Sequence, residues 1–219
     1  MKEFLEQYKL DAVLVHTPAN MRNISGFTGE GLVYVSKEDA WILTDSRYTI
    51  AAAKESRGFE VLEYKRNMQQ YLMEKIVKEH PELAEKTFRI GFEDAVMTVE
   101  TYRTLEALFE KMNLKQWELV PLHKKIDKMR RIKTPEEIES IKKAEKIGDE
   151  AFTKVTDWLT KCYREKTSVT EKQVAAHIEF YMRDAGAEGT SFDTIAASGK
   201  IVLPCRKNTQ KSQEENRAC

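Results

Sequence analysis

The sequence predicts an α/β fold: a layered domain with a mixed sheet, followed by a second segment led by helices. Short apolar runs alternate with helix-period stretches as far as about residue 121, the pattern of strand and helix in turn. The polar turn Ser36-Lys37-Glu38-Asp39 joins two of these runs so closely that they must form an antiparallel hairpin within the sheet. Further on, Thr134-Pro135-Glu136-Glu137 opens a long apolar stripe at helical spacing and marks a new structural segment.

Taken in order, Asp11-Ala12-Val13-Leu14-Val15-His16 reads as a buried strand behind a short helix. Thr17 and Pro18 supply an N-cap and a first-turn proline for the next helix, where the missing N–H costs nothing. Strands are predicted near 31–36 and 40–44. Asp45 is placed to cap a helix running to about Lys54, with Ile50 and Ala53 on one face. Strands near 59–64, 88–92 and 117–120 alternate with helices near 68–79 and 98–112. The layer ends near Pro121, so residues 1–122 form the first domain and the basic stretch 123–133 reads as a linker.

Thr134 caps the following helix, Pro135 occupies its first turn, and Glu137 can reach back to the cap's N–H. Ile138, Ile141, Ala144, Ile147, Ala151, Phe152, Val155 and Trp158 form its stripe. Thr170-Glu171-Lys172-Gln173 is a second capping box. The helix it opens carries Val174, Ile178, Tyr181 and Met182 on one face, with Gly186 as its stop. A strand is predicted over 192–197, ending in the turn Ser198-Gly199, which extends this second segment over 134–199. From 200 to 219 no burying face recurs, and the composition is that of a disordered end.

The 36 basic and 36 acidic residues cancel, so no global field recruits nucleic acid or an anionic membrane. No apolar run approaches membrane-spanning length, and Met1-Lys2-Glu3-Phe4-Leu5-Glu6 lacks the zones of a signal peptide. Cys162, Cys205 and Cys219 are odd in number and form no C-x-x-C pair. That argues against disulfides and a thiolate zinc site, and cytoplasm is the expected compartment.

Candidate chemistry is sparse. The glycine-rich loop Gly26-Phe27-Thr28-Gly29-Glu30-Gly31 leads into a strand rather than a helix, and Glu30 would repel phosphate. It reads as a turn, not a phosphate cradle. His16, His80, His123 and His177 lie far apart without an H-x-x-x-H pair, and each has a structural or solvated role as its simpler reading. In Asp45-Ser46-Arg47-Tyr48, Arg47 is either a donor for an anion or the partner of Asp45 at a strand-to-helix corner, the second being preferred. Glu214 and Glu215 are adjacent carboxylates in a polar tail and read as solvated.

Together these segments resemble the creatinase/prolidase family of metallopeptidases, specifically Xaa-Pro aminopeptidases and Xaa-Pro dipeptidases. The resemblance runs from about residue 3 to 199 and rests on Asp11-Ala12-Val13-Leu14-Val15, Asn20-Met21-Arg22-Asn23-Ile24-Ser25-Gly26-Phe27-Thr28-Gly29 and Leu43-Thr44-Asp45-Ser46-Arg47-Tyr48. It continues in Met129-Arg130-Arg131-Ile132-Lys133-Thr134-Pro135-Glu136-Glu137-Ile138 and Gly186-Ala187-Glu188-Gly189-Thr190-Ser191-Phe192-Asp193-Thr194-Ile195. It implies a creatinase-like N-terminal α/β domain followed by a pita-bread domain, of which this chain holds the first helices and strand. It also implies a parent reaction: metal-dependent hydrolysis of the N-terminal Xaa-Pro bond of peptides. Two divalent metals, manganese, cobalt or zinc, sit on two aspartates, one histidine and two glutamates in the family and generate hydroxide from a bridging water. A further histidine, in a Leu-Pro-His-type segment, assists there.

This chain departs from that pattern after Lys200, where Ile201-Val202-Leu203-Pro204-Cys205-Arg206 stands in place of the histidine-bearing segment. No histidine follows His177, and Cys205 is out of register for the imidazole. No catalytic, cofactor-binding or metal-ligating residue can therefore be nominated, and no cofactor is expected for this chain. The expected state is a truncated, inactive peptidase-like protein, its tail the product of a frameshift or premature stop. Peptide substrate belongs to a full-length parent. The alternative is a non-catalytic interaction protein whose exposed apolar helices self-associate or dock on a full-length peptidase or another partner.

Overall fold

The computed structural model of the chain describes residues 1–56 and 58–198, together with the backbone of 217–218. The chain forms two units, one ending at Ile132 and one beginning at Lys133. In the first unit, α1 (Lys2–Gln7), β1 (Ala12–Val15) and α2 (Pro18–Ser25) precede the hairpin of β2 (Leu32–Ser36) and β3 (Ala40–Thr44). There follow α3 (Thr49–Glu55), β4 (Glu60–Glu63), α4 (Met68–Glu79), a 3₁₀ turn at Pro81–Glu85 and β5 (Phe88–Phe92). The unit is completed by α5 (Val99–Lys111), β6 (Trp117–Pro121) and α6 (Lys125–Met129).

One sheet holds the strands in the order β4-β3-β2-β1-β5-β6. β1 runs antiparallel to β2 and β2 to β3, while β1–β5, β3–β4 and β5–β6 are parallel. The sheet is mixed, as the hairpin and the strand–helix alternation predict. Ala12 and Leu14 of β1 bury on one face, Val13 and Val15 on the other. On the first face lie Leu72, Met73 and Ile76 of α4 and Leu105, Leu108 and Phe109 of α5. Against the second pack Phe4 and Leu5 of α1, Met21 of α2, Ala52 of α3 and Ile126 of α6. Helices on both faces are why the strands read as continuous apolar runs. At the entry to β2, a Cβ on Gly31 would lie 2.2 Å from the Leu43 carbonyl oxygen, so only glycine permits that approach.

The structure corrects three expectations here. Thr17 occupies the N-cap of α2, but its side chain makes no cap bond and its amide donates to Glu93 instead. Asp45 does not cap α3, which starts at Thr49 behind Tyr48. Its Oδ1 accepts the Arg47 amide at 2.9 Å, a local turn that competes with capping. The buried α3 residue is Ala52, and Ile50 is 72% exposed. The stretch read as a linker instead folds as α6, whose Ile126 is only 2% exposed within the second core. One apolar anchor among lysines escapes a composition reading but suffices to hold a short helix.

The second unit contains α7 (Pro135–Arg164), β7 (Val169–Thr170) and α8 (Glu171–Asp184), with β8 (Arg217–Ala218) antiparallel to β7. Both capping boxes form. Thr134 and Glu137 exchange bonds of 2.8 and 3.3 Å, Thr170 and Gln173 bonds of 2.9 and 3.3 Å. Gly186, at φ 96°, follows the end of α8. α7 and α8 are antiparallel: Trp158 stacks on His177 with ring centroids 3.8 Å apart, and Lys154 Nζ lies 3.7 Å from Asp184. The strand expected over 192–197 is not formed, because no described strand lies alongside to pair with it. The tail 200–219, expected to be disordered, lies outside the described residues except for 217–218.

Ile126 anchors the end of the first unit, so a fragment of residues 1–132 should unfold in one urea transition. Ile126→Ala should lower its stability by about 2–5 kcal/mol. An unchanged midpoint would restore the linker reading.

Candidate functional site

Two places collect side chains that do more than fill a core. The first lies in the first unit, at the ends of β1 and β5. Glu93 directly follows β5 and is 8% exposed. Its Oε2 accepts the amides of His16 at 2.5 Å and Thr17 at 2.8 Å, and its Oε1 accepts Asn20 Nδ2 at 2.5 Å. Asn20 Nδ2 also donates to Asp127 Oδ1 at 2.8 Å, and Arg130 Nε donates to Asn20 Oδ1 at 2.5 Å. The Asn20 bond, assisted by Arg130, holds the Asp127 carboxyl below the usual carboxylate range. A cavity of about 210 Å³ opens beside these groups, bordered by Thr17, Asp94, Lys124 and Asp127. Glu93, Asn20, Asp127 and Arg130 bond in a chain, so the arrangement reads as a brace at this corner.

The second place is a groove of about 650 Å³ in the second unit, between α7, α8 and residues 194–198. Phe152, Val155, Leu159, Val174, Ile178 and Ile195 supply its apolar lining. Of the predicted α7 stripe, Ala151 and Val155 are buried. Ile138, Ile141 and Phe152 remain 43%, 45% and 62% exposed. Ser198 closes one end, its amide and hydroxyl both donating to Glu171 Oε1, at 2.7 and 3.1 Å.

The histidines occupy four separate places. His80 Nε2 is 2.7 Å from Asp39 Oδ2 and ties the end of α4 to the β2–β3 turn. His123 bonds Asp94 through its amide at 2.7 Å and its Nδ1 at 3.1 Å. His177 lies in the ring stack with Trp158. Among the described residues, the buried His16 Nδ1 has no hydrogen-bond partner, and burial pushes its pKa down against the opposing pull of Glu93. Arg47 resolves as the corner partner: Asp45 Oδ2 lies 2.7 Å and Glu30 Oε2 3.0 Å from its Nη2. The Arg47 hydrogen bonds hold Asp45 below its ordinary pKa. Glu214 and Glu215 lie outside the described residues.

Among the described residues, no group of three or more His, Cys, Asp or Glu is placed to hold a metal ion. The dinuclear centre that the resemblance implies therefore finds no fitting donor set in them. The Glu93 brace was missed by sequence reasoning, although Asn20 and Arg130 stand in the strings that carry the resemblance. The acidic pair Glu93-Asp94 after a strand looks like a solvated strand end, and only the fold brings residues 20, 93, 127 and 130 together.

Residues 1–132 match the Creatinase/Prolidase N-terminal domain and residues 139–203 match Metallopeptidase family M24. The chain belongs to the creatinase/prolidase family. It is 34% identical over 203 residues to the uncharacterized peptidase YqhT of Bacillus subtilis (strain 168), a match covering 91% of this chain and 52% of that protein. It is 31% identical to the Xaa-Pro dipeptidase of Pyrococcus furiosus, over 92% of this chain and 52% of the relative. The crystal structure of the X-Pro aminopeptidase from Thermotoga maritima MSB8 superposes with a TM-score of 0.70 at 29% identity, over 86% of this chain and 51% of that one. The chain thus spans about half the length of the curated relatives it matches.

Two outcomes follow from the brace. Asn20→Ala leaves Glu93 Oε1 and Asp127 short of a donor and should cost about 1–3 kcal/mol or more in denaturant melts. The folded pKa of His16 lies below the unfolded value near 6.5, so the unfolded chain takes up its proton first as pH falls. The His16 contribution is thus whole above about pH 6.5 and declines below it, by at most about 1.4 kcal/mol per pH unit. His16→Gln should remove that part of the slope. An identical pH profile in the variant would overturn the assignment.

Proposed function

We propose that this chain is a peptidase-like protein of the Xaa-Pro type that does not itself cleave peptides. The parent reaction is metal-dependent hydrolysis of the N-terminal Xaa-Pro bond. One observation carries the reading: where the family is expected to carry its Leu-Pro-His-type segment, Ile201-Val202-Leu203-Pro204-Cys205-Arg206 holds no histidine, and Cys205 is out of register for the imidazole. Two-metal hydrolysis needs convergent carboxylates and imidazole to hold both ions, and no such donor set can be nominated among the described residues. The domain that matches over 1–132 would keep its structural role regardless, since its brace and both cores are internal to it.

A second reading, a non-catalytic interaction protein, is favoured by the exposed apolar side chains of the second unit. Each large one left in water forfeits roughly 1.5–3 kcal/mol of burial.

Purified chain supplied with manganese or cobalt should retain no stoichiometric metal and should leave Xaa-Pro dipeptides and tripeptides intact. Chelator-sensitive turnover of such a peptide would overturn the proposal.

A further inference from the structure

A third hollow, of about 210 Å³, lies in the first unit, at the end of the sheet where β2 turns into β3. Tyr34 lines it, fully buried and stacked on Trp41 with ring centroids 4.9 Å apart. Among the described residues, the Tyr34 hydroxyl has no hydrogen-bond partner. Ser36 shares the hollow but spends its own oxygen on the turn, where it accepts the amides of Glu38 and Asp39 at 3.2 and 2.8 Å. Burial pushes the phenol's pKa up; Ser36 opposes the rise, while the carboxylates of Asp39, Asp11 and Glu38 add to it. The group is thus a neutral hydroxyl among negative charges. Leaving such a hydroxyl unbonded in the interior is costly, which favours a partner for it.

The rim sets the sign of that partner. Asp11, Glu38, Asp39 and Glu82 border the hollow, against Lys37, Lys86 and His80. His80 stands between carboxylates: Nε2 lies 2.7 Å from Asp39, and Nδ1 lies 3.4 Å from Glu38 and 3.9 Å from Glu82. Leu83 and the buried Phe88 supply an apolar wall. The hollow is smaller than the roughly 300–1,000 Å³ of sites for drug-sized ligands, so its occupant has few heavy atoms. Excess carboxylate calls for a cation, yet among the described residues no three acidic, histidine or cysteine donors are placed to hold a metal ion. An ammonium ion makes no such demand. Its three N–H donors can be shared between carboxylate and phenol oxygens without converging on one point.

We propose that this hollow binds a small primary ammonium ion, which donates to Asp39 and to the Tyr34 hydroxyl oxygen and lays its carbon chain against Leu83 and Phe88. Glu38, exposed on the rim, adds an attraction that salt screens. Every residue of the site belongs to the first unit, so the inference stands apart from the peptidase reading.

The test is a titration of the full chain with n-butylammonium chloride, followed by amide chemical shifts. Shifts at residues 36–39 and 87–88 should saturate with a Kd of about 1 mM or below. n-Butanol and butyrate, the neutral and anionic counterparts, should bind at least about tenfold more weakly. Asp39→Asn should weaken the ammonium by about tenfold or more, and Tyr34→Phe and Glu38→Gln by about threefold or more. Glu74→Gln, exposed on α4, should change nothing. Asp39 also holds His80, so its variant can loosen the turn; Tyr34→Phe keeps the ring and removes only the hydroxyl. That variant should melt no lower than the parent, because the lost group has no partner to forfeit.

The absence of saturable shifts would overturn the proposal, as would equal binding of butanol or butyrate. Parental affinity in Tyr34→Phe would do the same, and a lowered melting point beside it would mark the hydroxyl as purely structural. Saturation of the same amides by manganese at lower concentration than by the ammonium would replace the proposed site with a metal site.

Discussion

A carboxylate buried at the end of β5 must be satisfied or the corner around it cannot close. Glu93 is satisfied by the His16 and Thr17 amides and by Asn20, so a single side chain sets the turn from β1 into α2. Asn20, once placed, has a second N–H and a carbonyl oxygen left over, and these meet Asp127 and Arg130. That coupling brings α6 down onto the sheet and seats Ile126 in the second core. A charge left unpaired in this position would cost several kcal/mol, far more than the net gain from any one of its hydrogen bonds. The extension of the first unit to Ile132 is thus a consequence of where a carboxylate is buried.

The parts of the fold legible in the sequence are those written in neighbouring residues. The apolar runs became strands because helices cover both faces of the sheet. Both capping boxes formed because the residues that exchange bonds stand three apart in the chain. Asp45 shows where such local reading stops. Its side chain had two available amides, and the nearer turn with Arg47 won over a cap. The apolar pattern puts Ile50 and Ala53 on one face of α3, yet Ala52 is the residue that meets the core, and small side chains carry little weight in such a pattern. The Glu93 brace joins residues 73 to 110 positions apart, so no window along the chain contains it.

The two units differ in how completely their apolar patterns are used. In the first, apolar strand residues are buried on both faces of the sheet. In the second, Ala151 and Val155 of the α7 stripe are buried, while Ile138, Ile141 and, at the groove, Phe152 remain exposed. A helix of this length gains little from its caps compared with what its apolar face gains on burial. Its periodicity therefore specifies a packing surface larger than the described residues supply.

Family membership and chemistry part company at the same point. Strand–helix alternation, caps and a buried brace are distributed over the chain, so a fold can be recognised from any large portion of it. A dinuclear centre is different in kind, because each ligand contributes only when the others converge within bonding distance. The resemblance over both units accordingly carries strong information about architecture. Activity depends on a few donor positions, which is why it has to be argued from those positions and not from the extent of the match.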